Sequence, residues 1–345
     1  MATMEQPAGN GAALSFPVRK VTVDQPWIWL SKGWRDLCRA WPVSLFYGAG
    51  FVIVSFLLTL GLWIADVFYL VLPLAAGFMF LGPVVCIGLY EVSRRLEQGR
   101  PVTLRDAIMA WRANAGSIAV MGLVLMLFLL AWIRIAFLIF ALFFGGRPPS
   151  WEFLITALFF TTDGIPFLIV GTLTGGALAV VVFAISAVAL PLLLERDAGV
   201  LRAIVTSVAA VTKNWRVLIG WGALIVLFTA AGLVTFYVGL AVTLPLIGHA
   251  SWHAYRDLVS AEERVRQREV EDIMANTGKW IVGGIVSLLG VIGLFLAANA
   301  KDNGIYLFGF AIAAFAILYV FATIKQSYDG KPARDSSASR AVKIA

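Results

Sequence analysis

Polar and apolar positions along the chain alternate between two kinds of stretch: short ones with helical periodicity, and long unbroken apolar runs. In the first periodic stretch Trp27, Leu30, Trp34, Leu37, Cys38 and Trp41 share one side of a helix, and Lys32, Arg35, Asp36 and Arg39 take the other. This predicts an amphipathic helix near 27–41 lying in the headgroup plane of a membrane. Apolar runs follow at about 43–64 and 67–90, separated by a short turn at Asp66. Each exceeds the roughly 18 residues that mark a bilayer-crossing helix.

The pattern then restarts twice. Leu104, Ile108 and Trp111 lie opposite Arg105, Asp106 and Arg112, predicting an interfacial helix near 103–113. It leads into a span from about 115 to 144, a Gly-Gly-Arg-Pro-Pro turn, an interfacial or re-entrant segment at 151–160 and a span at about 165–194. Leu201, Ile204, Val208, Val211 and Trp215 then oppose Arg202, Thr206 and Lys213, predicting a third such helix near 199–213 and spans at about 216–233 and 237–255. Pro83, Pro191 and Pro245 recur near the charged end of each second span, as an internal repeat would have it. The expected fold class is therefore all-α: a polytopic membrane helix bundle of six transmembrane helices in three pseudo-repeats, each an interfacial helix plus two spans, over 27–258. Outside this core the expectations are a flexible cytoplasmic tail at 1–26, a charged connector at 259–279, a two-span hairpin at 280–325 (spans near 280–298 and 305–324) and a disordered tail at 326–345. The polar first 26 residues contain no secretory signal, so the first span is expected to direct insertion.

Composition agrees with a membrane protein: 60% of residues are hydrophobic and 14% charged. With eight spans and a cytoplasmic N-terminus, all of the 27 Lys and Arg except Arg134, Arg147 and Lys301 fall on the cytoplasmic side. The positive-inside rule thus places both termini in the cytoplasm of a cell whose inner membrane holds the chain. The net charge of +7 is spread over loops instead of lining a groove, which argues against a nucleic-acid partner and for anionic lipid headgroups. Cys38 and Cys86 read as ordinary thiols facing a reducing compartment.

Two stretches mark the ends of spans. One is Gly-Pro-Val-Val-Cys-Ile-Gly-Leu-Tyr-Glu-Val-Ser-Arg-Arg-Leu-Glu at 82–97, the other Pro-Leu-Ile-Gly-His-Ala-Ser-Trp-His-Ala-Tyr-Arg-Asp-Leu-Val at 245–259. Aligned on Pro83 and Pro245, Gly88 meets Gly248, Tyr90 meets Trp252 and Leu96 meets Leu258, and the two aromatics are expected at headgroup level. These segments resemble the signatures of a bacterial family of predicted inner-membrane proteins of unknown function, over about 27–260. Its members are sometimes labelled as similar to cytochrome c oxidase subunit I. The resemblance implies a six-span inner-membrane protein without an established activity. A haem–copper core needs several histidines on neighbouring spans, whereas this chain has only His249 and His253, so the oxidase label is set aside.

Those two histidines, four apart on one helix face, are either metal or haem ligands or, more in keeping with the absence of other histidines, polar caps bonded to neighbouring helices. Glu91, Arg94, Arg95, Glu195, Arg256 and Asp257 form a candidate cytoplasmic polar cluster, with ion pairing as the plain alternative. Arg134 lies inside a span, where charged residues are functional candidates by default. Its depth favours snorkelling to the far headgroups or a periplasmic-side ion pair with Asp163, or with Asp66. Gly171 and Gly175 are expected to allow close helix packing. No nucleotide, protease or hydrolase motif is present, and no catalytic residue, cofactor or metal is expected. The first function hypothesis is a non-catalytic accessory, assembly or scaffold component of another membrane protein complex, acting through helix and lipid contacts. A small-solute transporter or channel is the second and a haem- or metal-handling protein the third.

Overall fold

The computed structural model describes residues 15–145, 150–259 and 303–329, and positions 286, 287, 290, 291, 294 and 298. The expected connector, most of the expected span at 280–298 and the tail beyond 329 lie outside these residues, as do positions 1–14 and 146–149. The described chain is helical. An isolated bridge joins Val18 to Val259. It divides into two units, residues 1–262 and 263–345.

In the first unit α1 (Gln25–Arg39) is followed at once by α2 (Trp41–Ile64). The break at Ala40 follows from Pro42, which has no N–H to continue α1 but fits the first turn of a new helix. After a 3-10 turn at Phe68–Leu70 come α3 (Val71–Val85) and α4 (Ile87–Glu97), an interruption beside the internal Pro83. α5 (Leu104–Ile108) starts on a capping box in which Thr103 and Asp106 satisfy each other's backbone N–H groups. A second 3-10 turn leads into α6 (Ala115–Phe144), which ends on Gly145 in the left-handed conformation at φ 67°. α7 (Trp151–Phe160) is capped by the Ser150 hydroxyl. α8 (Gly164–Ser186) and α9 (Ala189–Glu195) form another interrupted span, and α10 (Val200–Lys213), α11 (Trp215–Val234) and α12 (Leu240–Leu258) complete the unit.

Among the described residues, five helical segments are long and apolar enough to cross a membrane: Trp41–Ile64, Phe68–Glu97, Ala110–Phe144, Gly164–Glu195 and Trp215–Val234. The chain is a multi-pass membrane protein. The expected sixth span corresponds to α12, which is not among the five. It carries His249, His253, Arg256 and Asp257, and it is the central helix of the unit, packed by α1, α2, α4 and α11. Gly33 of α1 and Gly48 of α2 make this enclosure possible. A Cβ on Gly33 would lie 2.7 Å from the Ala250 nitrogen, and one on Gly48 would lie 2.5 Å from the Ala241 carbonyl oxygen. Tyr90 and Trp252 are buried in protein. α2 is the opposite case, with Phe46, Leu57, Leu60 and Trp63 exposed as a lipid-facing helix requires.

Part of the expected N-terminal tail is docked. Phe16 is buried with its ring under the guanidinium groups of Arg202 at 4.0 Å and Arg196 at 4.7 Å. The Phe16 N–H donates to the Thr206 hydroxyl, the Arg19 N–H to the Leu258 carbonyl, and the Asn214 side chain bonds both Val21 and Arg19. Extended backbone needs such partners, and α10, α12 and the Asn214 junction between α10 and α11 supply them. In the second unit the helix α13 (Asn303–Asp329) runs a turn past the expected end of its span. A Cβ on Gly290 would lie 2.6 Å from the Ala316 Cβ, so position 290 packs directly on α13.

Candidate functional site

The polar residues singled out in the sequence gather where α1, α4, α9 and the last turns of α12 meet, and they divide into four small groups. Glu91, buried on α4, accepts from Arg94 Nε at 2.7 Å and Arg95 Nε at 2.8 Å. Arg95 also pairs with Asp106 of α5 at 3.0 Å. Asp106 is half-buried, and its carboxyl is held below the usual range by the Thr103 hydroxyl and the neighbouring Arg95 charge.

The second group links three helices. Arg256 of α12 reaches Glu195 of α9 at 2.8 Å and Glu97 of α4 at 3.1 Å. The Tyr255 hydroxyl donates to Glu195, and the Trp252 indole N–H donates to Glu97 at 3.2 Å. In the third group Asp257 accepts from Gln25 at 2.8 Å, from the Trp29 indole at 2.9 Å and from Lys32 at 3.4 Å, tying α12 to α1.

The histidines form the fourth. His249 is fully buried and uses both ring nitrogens: Nε2 is 2.9 Å from the Ser44 hydroxyl and Nδ1 is 2.8 Å from that of Ser93. A neutral imidazole has one donor and one acceptor nitrogen, and a serine hydroxyl can serve either. One residue thus joins α2, α12 and α4. His253 Nε2 lies 2.8 Å from Asp36 Oδ2. Burial alone would raise the Asp36 carboxyl, but hydrogen bonds from His253 and Ser93 hold it below its usual value. With both nitrogens engaged, His249 has none left for a metal or haem, and among the described residues no group of three or more His, Cys, Asp or Glu is placed to hold a metal ion.

The six residues of the expected cluster fall into three separate groups. Glu195 and Arg256 meet, Glu91 meets Arg94 and Arg95, and Asp257 stands apart with α1 partners. Sequence reasoning missed Ser44, Ser93, Glu97, Tyr255 and Asp36. Asp36 is expected on the polar outer side of the first helix with Arg35 and Arg39, yet it is buried beside Gly33, Leu30 and Leu37, while Arg35, Arg39, Trp27, Trp34 and Cys38 are exposed. The available signal was Gly33, one turn from Asp36, whose missing side chain marks the packed face. The expected pair of Arg134 with Asp163 does not form. Both are exposed and no ion pair joins them, nor Arg134 to Asp66. The reason is depth: the start of α8 sits at the end of α6, where Phe167 packs on Phe144 at 5.2 Å. Arg134 lies ten residues before Phe144, about 15 Å along the helix axis.

Residues 70–195 match a family model described as "Predicted integral membrane protein (DUF2189)". This stretch is similar to that family. No curated protein and no solved structure matches the chain. The matched stretch, narrower than the expected 27–260, begins within the turn before α3 and ends at Glu195. It therefore holds Glu91, Arg94, Arg95, Ser93 and Glu195, while Ser44, Asp36, both histidines and Arg256 come from outside it. Each linking group described above, apart from that of Asp257, has one partner inside the matched stretch or a neighbour bonded to it.

Proposed function

We propose that the protein is a non-catalytic component of a bacterial inner membrane, an accessory, assembly or scaffold protein for another membrane complex. The observation that carries this reading is that the ionisable side chains at the charged end are bonded to one another across helices. Glu91, Glu195, Asp36, His249 and Asp257 each have hydrogen-bond partners among the side chains of this chain. Groups committed in this way order helices and are poorly placed to bind a substrate or transfer a proton.

Lipid contact is the other half of the proposal. Trp27, Trp34, Trp41, Trp111 and Trp215 are exposed on or beside the three periodic helices, with Arg112 over Trp111 and Arg216 over Trp215. An indole with a guanidinium against it suits a headgroup layer carrying anionic lipids. The distribution of Lys and Arg supports a cytoplasmic position for both termini and for the charged end of the bundle.

Purification in mild detergent, with a visible spectrum and mass spectrometry of what accompanies the protein, tests the reading. A colourless protein with stoichiometric membrane subunits is the expected result. A Soret band lost in His249→Ala would overturn it in favour of haem handling. Solute flux in vesicles holding the purified chain alone would overturn it in favour of transport.

A further inference from the structure

Away from the charged end, α3, α6 and α8 enclose a cavity of about 490 Å³. Its side-chain polar atoms are confined to Tyr69, Trp132 and Thr172, and no charged residue lines it. The Trp132 indole N–H is already used, donating to the Pro73 carbonyl at 2.8 Å. The ring itself is fixed between glycines: a Cβ on Gly175 would lie 2.9 Å from it and one on Gly77 would lie 3.2 Å away.

Gly171 and Gly176 behave differently. A Cβ on either meets nothing within 4 Å. The close helix packing expected of Gly171 is therefore absent, and both glycines border the cavity. Leu72 of α3 and Leu168 of α8 also line it and are themselves exposed, so the cavity opens sideways between two spans.

We propose that this cavity is a binding site for one hydrocarbon chain of a membrane lipid, entered laterally past Leu72 and Leu168. Apart from Leu158 of α7, the lining belongs to membrane-crossing segments, so the opening is continuous with the lipid-facing surface. Ordered water needs two to four polar partners, which these walls do not provide. A polar solute is unmatched for the same reason. A helix from a second copy, about 10 Å across, would exhaust the volume within little more than one turn. An acyl chain is thin, flexible, apolar and present at high concentration at the opening. The inference deepens the lipid-contact half of the proposed function and does not depend on any protein partner.

The test uses the full chain in nanodiscs of phosphatidylethanolamine and phosphatidylglycerol, part of the latter carrying a photoactivatable diazirine in mid-chain. Adducts are mapped by peptide mass spectrometry. Met79 and Trp132 in the cavity wall should be labelled, as should Leu57 on the lipid-facing side of α2, the control. Gly171→Leu with Gly176→Leu fills the space and should reduce the cavity adducts about tenfold or more, with Leu57 labelling unchanged. Gly176→Leu alone should give a smaller reduction and guards against misfolding of the double variant. Absence of Met79 and Trp132 adducts from the native chain while Leu57 is labelled would overturn the site, as would equal cavity labelling in native and filled proteins. Loss of Leu57 labelling from the native chain would instead contradict the placement of α2 in the bilayer, a separate failure.

Discussion

The two ends of the first unit are built on different physics. At the charged end, α12 is enclosed by protein and joined to its neighbours through His249, Arg256 and Asp257. In the other half, α8 exposes Ile165, Ile169, Leu173 and Val180 and borders an open apolar cavity. Lipid is as apolar as leucine, so burying apolar surface does little to bring spans together within a bilayer. Hydrogen bonds and close backbone approach do that work, and the side-chain bonds between helices are concentrated at the charged end. In the other half the interlock is carried by Trp132, which bonds the Pro73 carbonyl and packs between Gly77 and Gly175 beside the open cavity.

Substitutions separate these regimes. The largest effect is expected for His249→Ala, which leaves the buried Ser44 hydroxyl without its imidazole partner, takes one of two partners from Ser93 and opens a void, a loss of about 3–5 kcal/mol. Thermal unfolding in detergent would show it, and a melting temperature within error of the native protein would contradict the role of His249 as a three-helix link. Gly33→Ala forces a methyl group into the Ala250 backbone and should cost about 2–3 kcal/mol in the same assay; a neutral result would mean that α1 can lift from α12 without penalty. Glu91→Ala removes the acceptor shared by Arg94 and Arg95. Because both arginines are partly solvated, about 2 kcal/mol is expected, less than for a fully buried pair.

Asp36→Asn carries a pH signature. The Asp36 carboxyl titrates below its ordinary value of 3.8 in the folded protein, so its charged form contributes stability above that value and the contribution fades as pH falls through the lower folded value. The melting difference between native and Asp36→Asn proteins should be full at neutral pH and shrink only below about 3.8. A difference that disappeared near neutrality would contradict the role given to the Asp36 carboxylate. The smallest effect, and the one of opposite sign, is expected in the open half. Gly171→Ala meets no atoms and should stabilise by about 0.5–1 kcal/mol; destabilisation there would show that the space in front of Gly171 is filled.

Much of this could be read from the residues. The five apolar runs, the periodic helices at 25–39 and 200–213 and the meeting of Glu195 with Arg256 all follow from hydropathy, periodicity and shared position at span ends. The mistakes have a common origin. Asp36 is expected outward, Arg134 beside Asp163, and residues 15–24 in a loose tail. Each was an inference about a neighbour, made from a pattern that reports only the local preference for water or lipid.

Hydropathy and periodicity by themselves determined that this chain is helical, crosses a membrane several times and collects its charge at span ends, because transfer free energy acts on each residue whatever its partners. The tertiary structure alone decided that the least apolar of the long helices, α12, would lie at the centre. A helix bearing His249, Arg256 and Asp257 is costly to expose to hydrocarbon and becomes stable inside only when Ser44, Ser93, Glu97, Glu195, Gln25 and Trp29 arrive to satisfy it. Those partners come from positions up to 232 residues apart, a separation across which no local pattern carries information.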